Sequence, residues 1–182
     1  MKVLVPLAPG FEEIEAVTII DVLRRASITV TTAHLSGSPV TGSHNITISA
    51  DIDIKTVSAA DFQCIVLPGG MPGSENLKNN TEIISLIQKI NASGGIVAAI
   101  CAAPLVLGHA GLLQNKNATC YPGFEATMKG AQCRNEPVVA DGNIVTGRGA
   151  GCALPFALKL VELIKDKKTS DDLKEGMQVY WM

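Results

Sequence analysis

Cys101 is the residue in this sequence whose surroundings best fit a reactive nucleophile. It stands between the apolar run Gly94–Ile100 and Pro104, and the two residues between it and the proline are alanines. Proline is tolerated in the first turn of a helix, which places Cys101 at a turn from a buried strand into a helix. Backbone N–H groups at a helix start predict a thiol pKa lowered from ~8.5 to about 3.5–7.5. A packed, inert core cysteine is the alternative that position alone leaves open.

Glu15 is the candidate proton partner of this thiol. In a helix its neighbours three to seven residues on include Ile19 and Val22, which give it a partly apolar face. A carboxyl group against apolar side chains or a thiolate is expected to have a raised pKa and to carry a proton. The alternative is a cluster of solvated acids. Glu12 and Glu13 fall in the first helical turn, where carboxylates complement the helix dipole, and Glu12 is kept as a candidate for substrate binding.

Residues after other predicted strands add backbone donors and polar side chains. Gly69 and Gly70 allow the backbone to approach a ligand and to point N–H groups at an oxyanion, although a plain tight turn fits equally well. Tyr121 is the remaining polar side chain that we expect near Cys101. Arg148 is able to anchor a carboxylate or to help hold a thiolate. Its segment GRGAG lacks the third glycine of GxGxxG and the acidic residue about 20 positions further on, so we expect no dinucleotide cofactor.

The remaining motifs exclude several kinds of site. The chain has five cysteines but no CxxC pair and no histidine at ligand spacing, so neither a disulfide framework nor a zinc site is predicted. It has no GxxxxGK[ST] phosphate loop. His109 lies two helical turns beyond Cys101, too far to act as its base. Cys64, within an apolar run, is expected to be inert.

The elements that must position these residues form an alternating pattern. Strands are predicted over 2–8, 28–35, 62–67 and 94–100, and helices over 12–26, 81–93 and 153–168. Strands that are apolar on nearly every residue are typical of a parallel sheet covered on both faces. The pattern predicts a doubly wound α/β fold, a mostly parallel sheet sandwiched by helices. The sequence pattern of residues 36–56 predicts a small excursion of antiparallel β structure. The dipeptide Asp141-Gly142 between apolar runs predicts the turn of a β-hairpin. The loops at the carboxyl ends of the strands should converge on one edge.

Composition sets the broad class. The chain has 182 residues, 47% of them hydrophobic, and a formal net charge of −2. That net charge gives no electrostatic field that would favour binding of nucleic acid. No stretch of the sequence approaches the ~18 consecutive apolar residues of a membrane-spanning helix. The apolar run at the N-terminus is too short, and the residues that follow it are too acidic, for a signal peptide. We therefore expect one domain over 1–182, cytoplasmic, with neither nucleic-acid nor membrane partners.

Four motifs together resemble one family. LAPGFEEIEAV, VLPGGMPG, AAICAAP and TGRGAG, in this order and at these spacings, resemble the ThiJ/PfpI superfamily, in the branch of the parkinsonism-associated protein deglycase and its small bacterial relatives. The likeness covers essentially the whole chain. It implies a flavodoxin-like sandwich, a homodimer, and no metal or organic cofactor. It also implies that Cys101 is an oxidisable nucleophile, that Glu15 is its protonated partner, and that Gly70 and Ala102 supply backbone N–H groups.

The sequence also departs from the family pattern. The proteolytic branch has histidine directly after the cysteine, where this chain has Ala102, so the resemblance argues against peptidase chemistry. Well-known deglycase relatives have histidine where this chain has Tyr121, which removes a candidate base. His44 stands where the family often has an arginine contributed across the dimer.

Three functions remain open at this stage. The first is a cysteine-dependent enzyme for small reactive aldehydes or glycated groups, a glutathione-independent glyoxalase or protein deglycase. The second is a non-catalytic oxidative-stress sensor or redox chaperone that uses oxidation of Cys101. The third is a flavodoxin-like protein that binds a small molecule, which requires an ordinary Cys101 thiol.

Overall fold

A seven-stranded, mostly parallel sheet forms the centre of the fold in the computed structural model, which describes residues 1–180. Its order is β10-β11-β7-β6-β1-β2-β5, and only β10 runs antiparallel to its neighbour. The sheet confirms the predicted fold class. The strands are β1 (Lys2–Leu7), β2 (Thr29–His34), β3 (Val40–Thr41), β4 (Thr47–Ile48), β5 (Ile52–Asp53), β6 (Cys64–Leu67), β7 (Ile96–Ile100), β8 (Asn117–Ala118), β9 (Gln132–Cys133), β10 (Val138–Asp141) and β11 (Ile144–Gly147).

Helices cover both faces of the sheet. The helices are α1 (Glu13–Arg25), α2 (Gly73–Lys78), α3 (Thr81–Ala92), α4 (Pro104–His109), α5 (Ala153–Ile164) and α6 (Lys167–Gly176), with 3-10 turns at Ile54–Thr56, Ala59–Asp61, Glu125–Thr127 and Ala150–Cys152. The apolar stripes of α1 and α5 pack on one face of the sheet, and those of α2, α3 and α4 on the other. Strands such as β6 are therefore buried on every residue, as their apolar sequences predict. Within residues 1–180, no helix is long and apolar enough to cross a membrane.

The predicted elements differ from the observed ones in three places. The excursion does contain an antiparallel pair, β3 with β4, but β5 joins the main sheet in parallel with β2. The predicted helix 153–168 ends at Ile164. Asp166 then accepts the N–H of Thr169 at 2.7 Å and caps α6, a helix that the sequence pattern does not predict. The hairpin at Asp141-Gly142 is confirmed by the antiparallel pairing of β10 and β11.

The sheet order explains how distant loops meet. Strands β1, β6, β7 and β11 are consecutive neighbours in the sheet and run parallel. Their carboxyl ends lead into the loops 8–12, 68–72, 101–103 and 148–152. These loops therefore share one edge of the sheet, as predicted.

Candidate active site

Cys101 occupies a strained turn between β7 and α4. Its φ of 63° lies in the left-handed region, which costs a residue with a side chain ~1–2 kcal/mol. Two backbone hydrogen bonds hold it there: its N–H donates to the Gly147 carbonyl at 2.9 Å, and its carbonyl accepts from the Tyr121 N–H at 2.8 Å. Pro104 is the first residue of α4. The predicted strand-to-helix turn at Cys101 is confirmed.

Two backbone N–H groups face the sulfur of Cys101. They belong to Ala102 and Gly70, and both lower the pKa of the thiol. Gly70 has a φ of 88°, and a Cβ atom there would collide with the backbone nitrogen of Glu12. Glycine is thus required for this loop to bring its N–H to the sulfur.

Glu15 lies fully buried beside this turn. Its Oε2 accepts the N–H of Gly69 at 2.7 Å, whereas its Oε1 is buried with no hydrogen-bond partner among the residues described. A Cβ atom on Gly69 would come within 2.7 Å of both Glu15 Oε2 and Cys101 Cβ. Since all three residues converge on so small a space, the carboxyl and the thiol each affect the ionisation of the other.

Burial raises the pKa of the Glu15 carboxyl to about 7. Hydrogen bonds with the Gly69 N–H and with Cys101 lower this pKa but only partly offset the effect of burial. The predicted direction for Glu15 is therefore confirmed. For Cys101 beside an ionised Glu15 it is wrong: burial, followed by the Glu15 carboxylate, raises the pKa of the thiol to about 12. The helix-start donors at Ala102 and Gly70 act in the expected direction but are outweighed. Position in the chain predicts those donors, but it does not predict how deeply the sulfur is buried.

The two raised pKa values describe a pair that shares one proton near neutral pH. Between about 7 and about 12 the pair of Glu15 and Cys101 carries one negative charge. With the proton on Glu15, the sulfur is a thiolate that faces a carboxyl group and two N–H donors. With the proton on sulfur, Glu15 is a buried carboxylate that has one N–H donor. A thiolate at neutral pH therefore depends on Glu15 taking the proton.

The other predicted site residues lie at different distances from this pair. Tyr121 is joined to Cys101 by its backbone, while its half-exposed side chain lies over Gly149 and meets the ring of Phe124 edge-on at 6.4 Å. Arg148 donates its backbone N–H to the Pro137 carbonyl at 3.0 Å, and its charge partly offsets the rise in the pKa of Cys120. A contact of its side chain with Cys101 stays a prediction.

Glu12 connects two loops of the site. Its N–H donates to the Gly69 carbonyl at 2.9 Å, and its carboxylate accepts from Ser43 at 3.3 Å. Its backbone therefore fixes the loop that carries Gly70, and its side chain faces the loop that follows β3.

Glu13 has a structural role that the sequence reading missed. It is 4% exposed and accepts from the N–H groups of His44 at 2.7 Å and Ile46 at 3.2 Å, and His44 Nδ1 lies 3.0 Å from its Oε2. Burial alone would raise its pKa, but these hydrogen bonds lower it to about 2. Glu13 thus holds the 43–46 loop against α1. The sequence signal is the helical spacing of Ala16 and Ile19, which lie on the buried face of α1. Glu13 is three residues before Ala16 and therefore falls on the same face.

One group of side chains has the donor types of a cation site. Ligand atoms of Glu12, Glu13 and His44 lie within 4.8 Å of one another. Both oxygens of Glu13 already accept hydrogen bonds, so the contacts of the group are explained by the loop that it holds, and we assign no metal to it.

The chain is similar to known proteins in both sequence and fold. A family model described as the DJ-1/PfpI family matches residues 1–163. The chain is 38% identical to protein dj-1beta of Drosophila melanogaster over 179 residues, covering 97% of this chain and 96% of that protein. It is 31% identical to a protein named a deglycase from Pyrococcus abyssi over 167 residues, covering 91% of this chain and all of that protein. A structure described as Toxoplasma gondii DJ-1, oxidized, superposes with a TM-score of 0.94 at 37% identity, covering 98% of this chain and 99% of that one.

Proposed function

The chain belongs to the DJ-1/PfpI family, and we propose that it is a cysteine-dependent stress-response enzyme that acts on reactive carbonyl compounds. The proposal covers a glutathione-independent glyoxalase and a protein deglycase, and it names Cys101 as nucleophile and Glu15 as proton partner. One observation carries it: a strained cysteine whose sulfur meets the N–H groups of Gly70 and Ala102 lies against a buried carboxyl group with a pKa of about 7. The name of the Pyrococcus abyssi relative supports the deglycase reading.

The first chemical step follows from the shared proton. The Cys101 thiolate attacks the aldehyde carbon of a dicarbonyl, a carbon–sulfur bond forms, and the carbonyl electron pair moves to oxygen. The carboxyl group of Glu15 gives its proton to that oxygen, which yields a neutral hemithioacetal and a carboxylate. The N–H groups of Gly70 and Ala102 stabilise the sulfur before the attack and the developing oxyanion during it.

The later steps use Glu15 in the opposite direction. Its carboxylate removes the proton from the former aldehyde carbon, and the electron pair moves to the adjacent carbonyl oxygen to form an enediolate. That proton is then delivered to the second carbon, while the hydroxyl proton on the first carbon moves to the oxygen of the second, which gives a thioester of a hydroxy acid on Cys101. Water then hydrolyses the thioester, releasing the hydroxy acid and restoring the free cysteine. The overall reaction adds one water to the dicarbonyl and needs neither a redox reagent nor a cofactor.

The direct test is conversion of methylglyoxal to lactate in the absence of glutathione. Wild type should form lactate, and Cys101→Ala should form none above the uncatalysed background. Cys133→Ala removes an exposed thiol from β9 and serves as the matched control, with activity like wild type. Equal lactate from wild type and Cys101→Ala would refute the proposal.

A second candidate function is an oxidative-stress sensor or redox chaperone. The donors around Cys101 would also hold the oxygens of a sulfinate, formed when the thiolate reacts with two molecules of peroxide and releases two of water. The oxidized form of the Toxoplasma gondii relative favours this candidate. It predicts that mild peroxide adds two oxygens to Cys101 before it modifies Cys120 or Cys133, and that wild type shows holdase activity without turnover. Mass spectrometry of peptides shows whether Cys101 is oxidised before Cys120 and Cys133.

We further propose that the protein is a homodimer. Three large aliphatic side chains are exposed at the start of α1 and in the loop that Glu13 holds beside it: Ile14 at 59%, Val17 at 48% and Ile46 at 57%. Ile14 and Val17 are one helical turn apart and present a common face. A second copy of the chain would cover this apolar patch, next to His44 and the acidic start of α1.

A further inference from the structure

The strained backbone of Cys101 is held at both ends by residues that depend on β11. The acceptor for its N–H is the carbonyl of Gly147, the last residue of that strand. The donor to its carbonyl is the N–H of Tyr121, which lies three residues beyond the end of β8. A left-handed φ at a residue with a side chain persists only where neighbouring contacts enforce it. Both contacts are therefore needed to keep the sulfur in place.

Thr146 is the residue that connects these two contacts. It is fully buried, it directly precedes Gly147, and it pairs with Ala99 in β7. Its Oγ1 accepts the N–H of Thr119 at 2.9 Å, in a bond that is itself buried. Thr119 is two residues before Tyr121, so this bond fixes the segment that delivers the Tyr121 N–H. One side chain thus joins β11, which receives the N–H of Cys101, to the segment that binds its carbonyl.

We propose that Thr146 is a positioning residue for Cys101, which it holds in the reactive left-handed conformation through its bond to Thr119. The inference rests on the proposed function, which makes Cys101 the nucleophile. Removing Oγ1 leaves the buried N–H of Thr119 without its acceptor, and an unsatisfied buried donor drives the segment to move. The Tyr121 N–H is then no longer fixed, and Cys101 relaxes toward an ordinary φ. Its sulfur moves away from the N–H groups that favour the thiolate.

Thr119 offers a matched control beside Thr146. It is also fully buried, but its own Oγ1 has no hydrogen-bond partner among the residues described. Thr119→Val therefore removes a hydroxyl at the same depth and in the same segment without breaking the bond at its N–H. Thr146→Val removes the acceptor at nearly constant volume, and Thr146→Ser keeps the oxygen.

The test measures the rate of Cys101 alkylation by iodoacetamide against pH, followed by mass spectrometry, together with thermal unfolding. Thr146→Val should react ~10-fold more slowly at neutral pH, with the midpoint of its profile raised by about one pH unit. Thr146→Ser should stay close to wild type, and Thr119→Val should match it. A purely structural role would lower the melting temperature of Thr146→Val without moving the midpoint. If Thr146→Val does not fold, Thr146→Ala leaves room for water at the Thr119 N–H and should show the same shift, reduced in size.

Two results would overturn the inference: an unchanged midpoint in folded Thr146→Val or Thr146→Ala, or an equal shift in Thr119→Val, which would point to core packing alone. Lactate formation from methylglyoxal is recorded separately. Wild type without turnover but with the predicted alkylation profiles would refute the proposed enzyme and leave the role of Thr146 standing. Normal lactate formation with unshifted alkylation profiles would support the proposed enzyme and refute the role of Thr146.

Discussion

Glu15 binds the N–H of Gly69 through one carboxyl oxygen at 2.7 Å and keeps the other buried with no hydrogen-bond partner among the residues described. The first contact fixes the carboxyl group against the loop that carries Gly70. The second oxygen is the place where a proton can reside. Because burial raises the pKa of Glu15 to about 7, this arrangement holds a proton beside Cys101 under neutral conditions.

The arrangement makes the protein less stable as the pH rises. The folded state raises the pKa of Glu15 from 4.5 to about 7, so between these values it binds the proton more tightly than the unfolded chain does. Stability is full below pH 4.5 and falls as the pH rises to about 7, by ~3 kcal/mol in total. Glu15→Gln cannot ionise and should lack this loss. Urea unfolding at about pH 5 and about pH 8 measures it, and parallel changes in the two proteins would contradict the assignment.

Gly69→Ala should damage both the site and the fold. The added Cβ would lie 2.7 Å from Cys101 Cβ and 2.8 Å from the backbone carbonyl oxygen of Ile100, which cannot move aside easily. We expect a loss of ~1–3 kcal/mol in unfolding free energy and a much slower alkylation of Cys101. Gly151→Ala is the control, because a Cβ there meets nothing within 4 Å. A Gly69→Ala protein as stable and as reactive as wild type would show that the loops are not packed as described.

Glu13 should make the 43–46 loop sensitive to acid. Its pKa falls from 4.5 to about 2 in the folded state, so its contribution to stability is present above pH 4.5 and is lost as the pH falls toward 2. Glu13→Gln should be less stable than wild type at neutral pH and approach it in acid. Glu12→Gln, which alters the neighbouring carboxylate, is the comparison for a general effect of charge. An equal pH dependence in wild type and Glu13→Gln would contradict this role.

The proposed dimer can be tested at Val17. Val17→Asp places a charge in the apolar patch at the start of α1 and should shift the protein to a monomer at micromolar concentration. Leu163→Asp puts the same charge on α5, where a large aliphatic side chain is also exposed, and should leave the dimer intact. Light scattering after size-exclusion chromatography gives the mass. A monomeric wild type, or a Val17→Asp protein that stays dimeric, would rule out this interface.

Much of this architecture could be predicted from the sequence. Apolar runs such as CIVL fix a buried parallel strand, and Pro104 fixes a helix start directly after Cys101, so the turn at the cysteine follows from local rules. The approach of Glu15 to Cys101 could be inferred only through the family resemblance, because residues 86 positions apart are joined by sheet order and not by spacing.

Other features depend on how deeply a side chain is buried and on contacts between residues far apart in the chain, which local sequence patterns do not predict. Beside an ionised Glu15 the pKa of the Cys101 thiol is raised and not lowered as predicted, because burial and the carboxylate outweigh the helix-start donors. The charge of Arg148 acts on the thiol of Cys120, a residue that no motif in the sequence links to it. The bond from Thr119 to Thr146 joins two segments that no motif connects.

The central claim is that Cys101 becomes a thiolate near neutral pH because Glu15 takes its proton. The most direct measurement is the pH dependence of Cys101 alkylation in wild type and in Glu15→Gln. In wild type the rate should rise with a midpoint near the carboxyl pKa of about 7 and then level off. In Glu15→Gln the proton has no acceptor within the site, and the midpoint should move above the ordinary thiol value of ~8.5. The same midpoint near 8.5 in both proteins would contradict the claim and return Cys101 to the class of inert core cysteines.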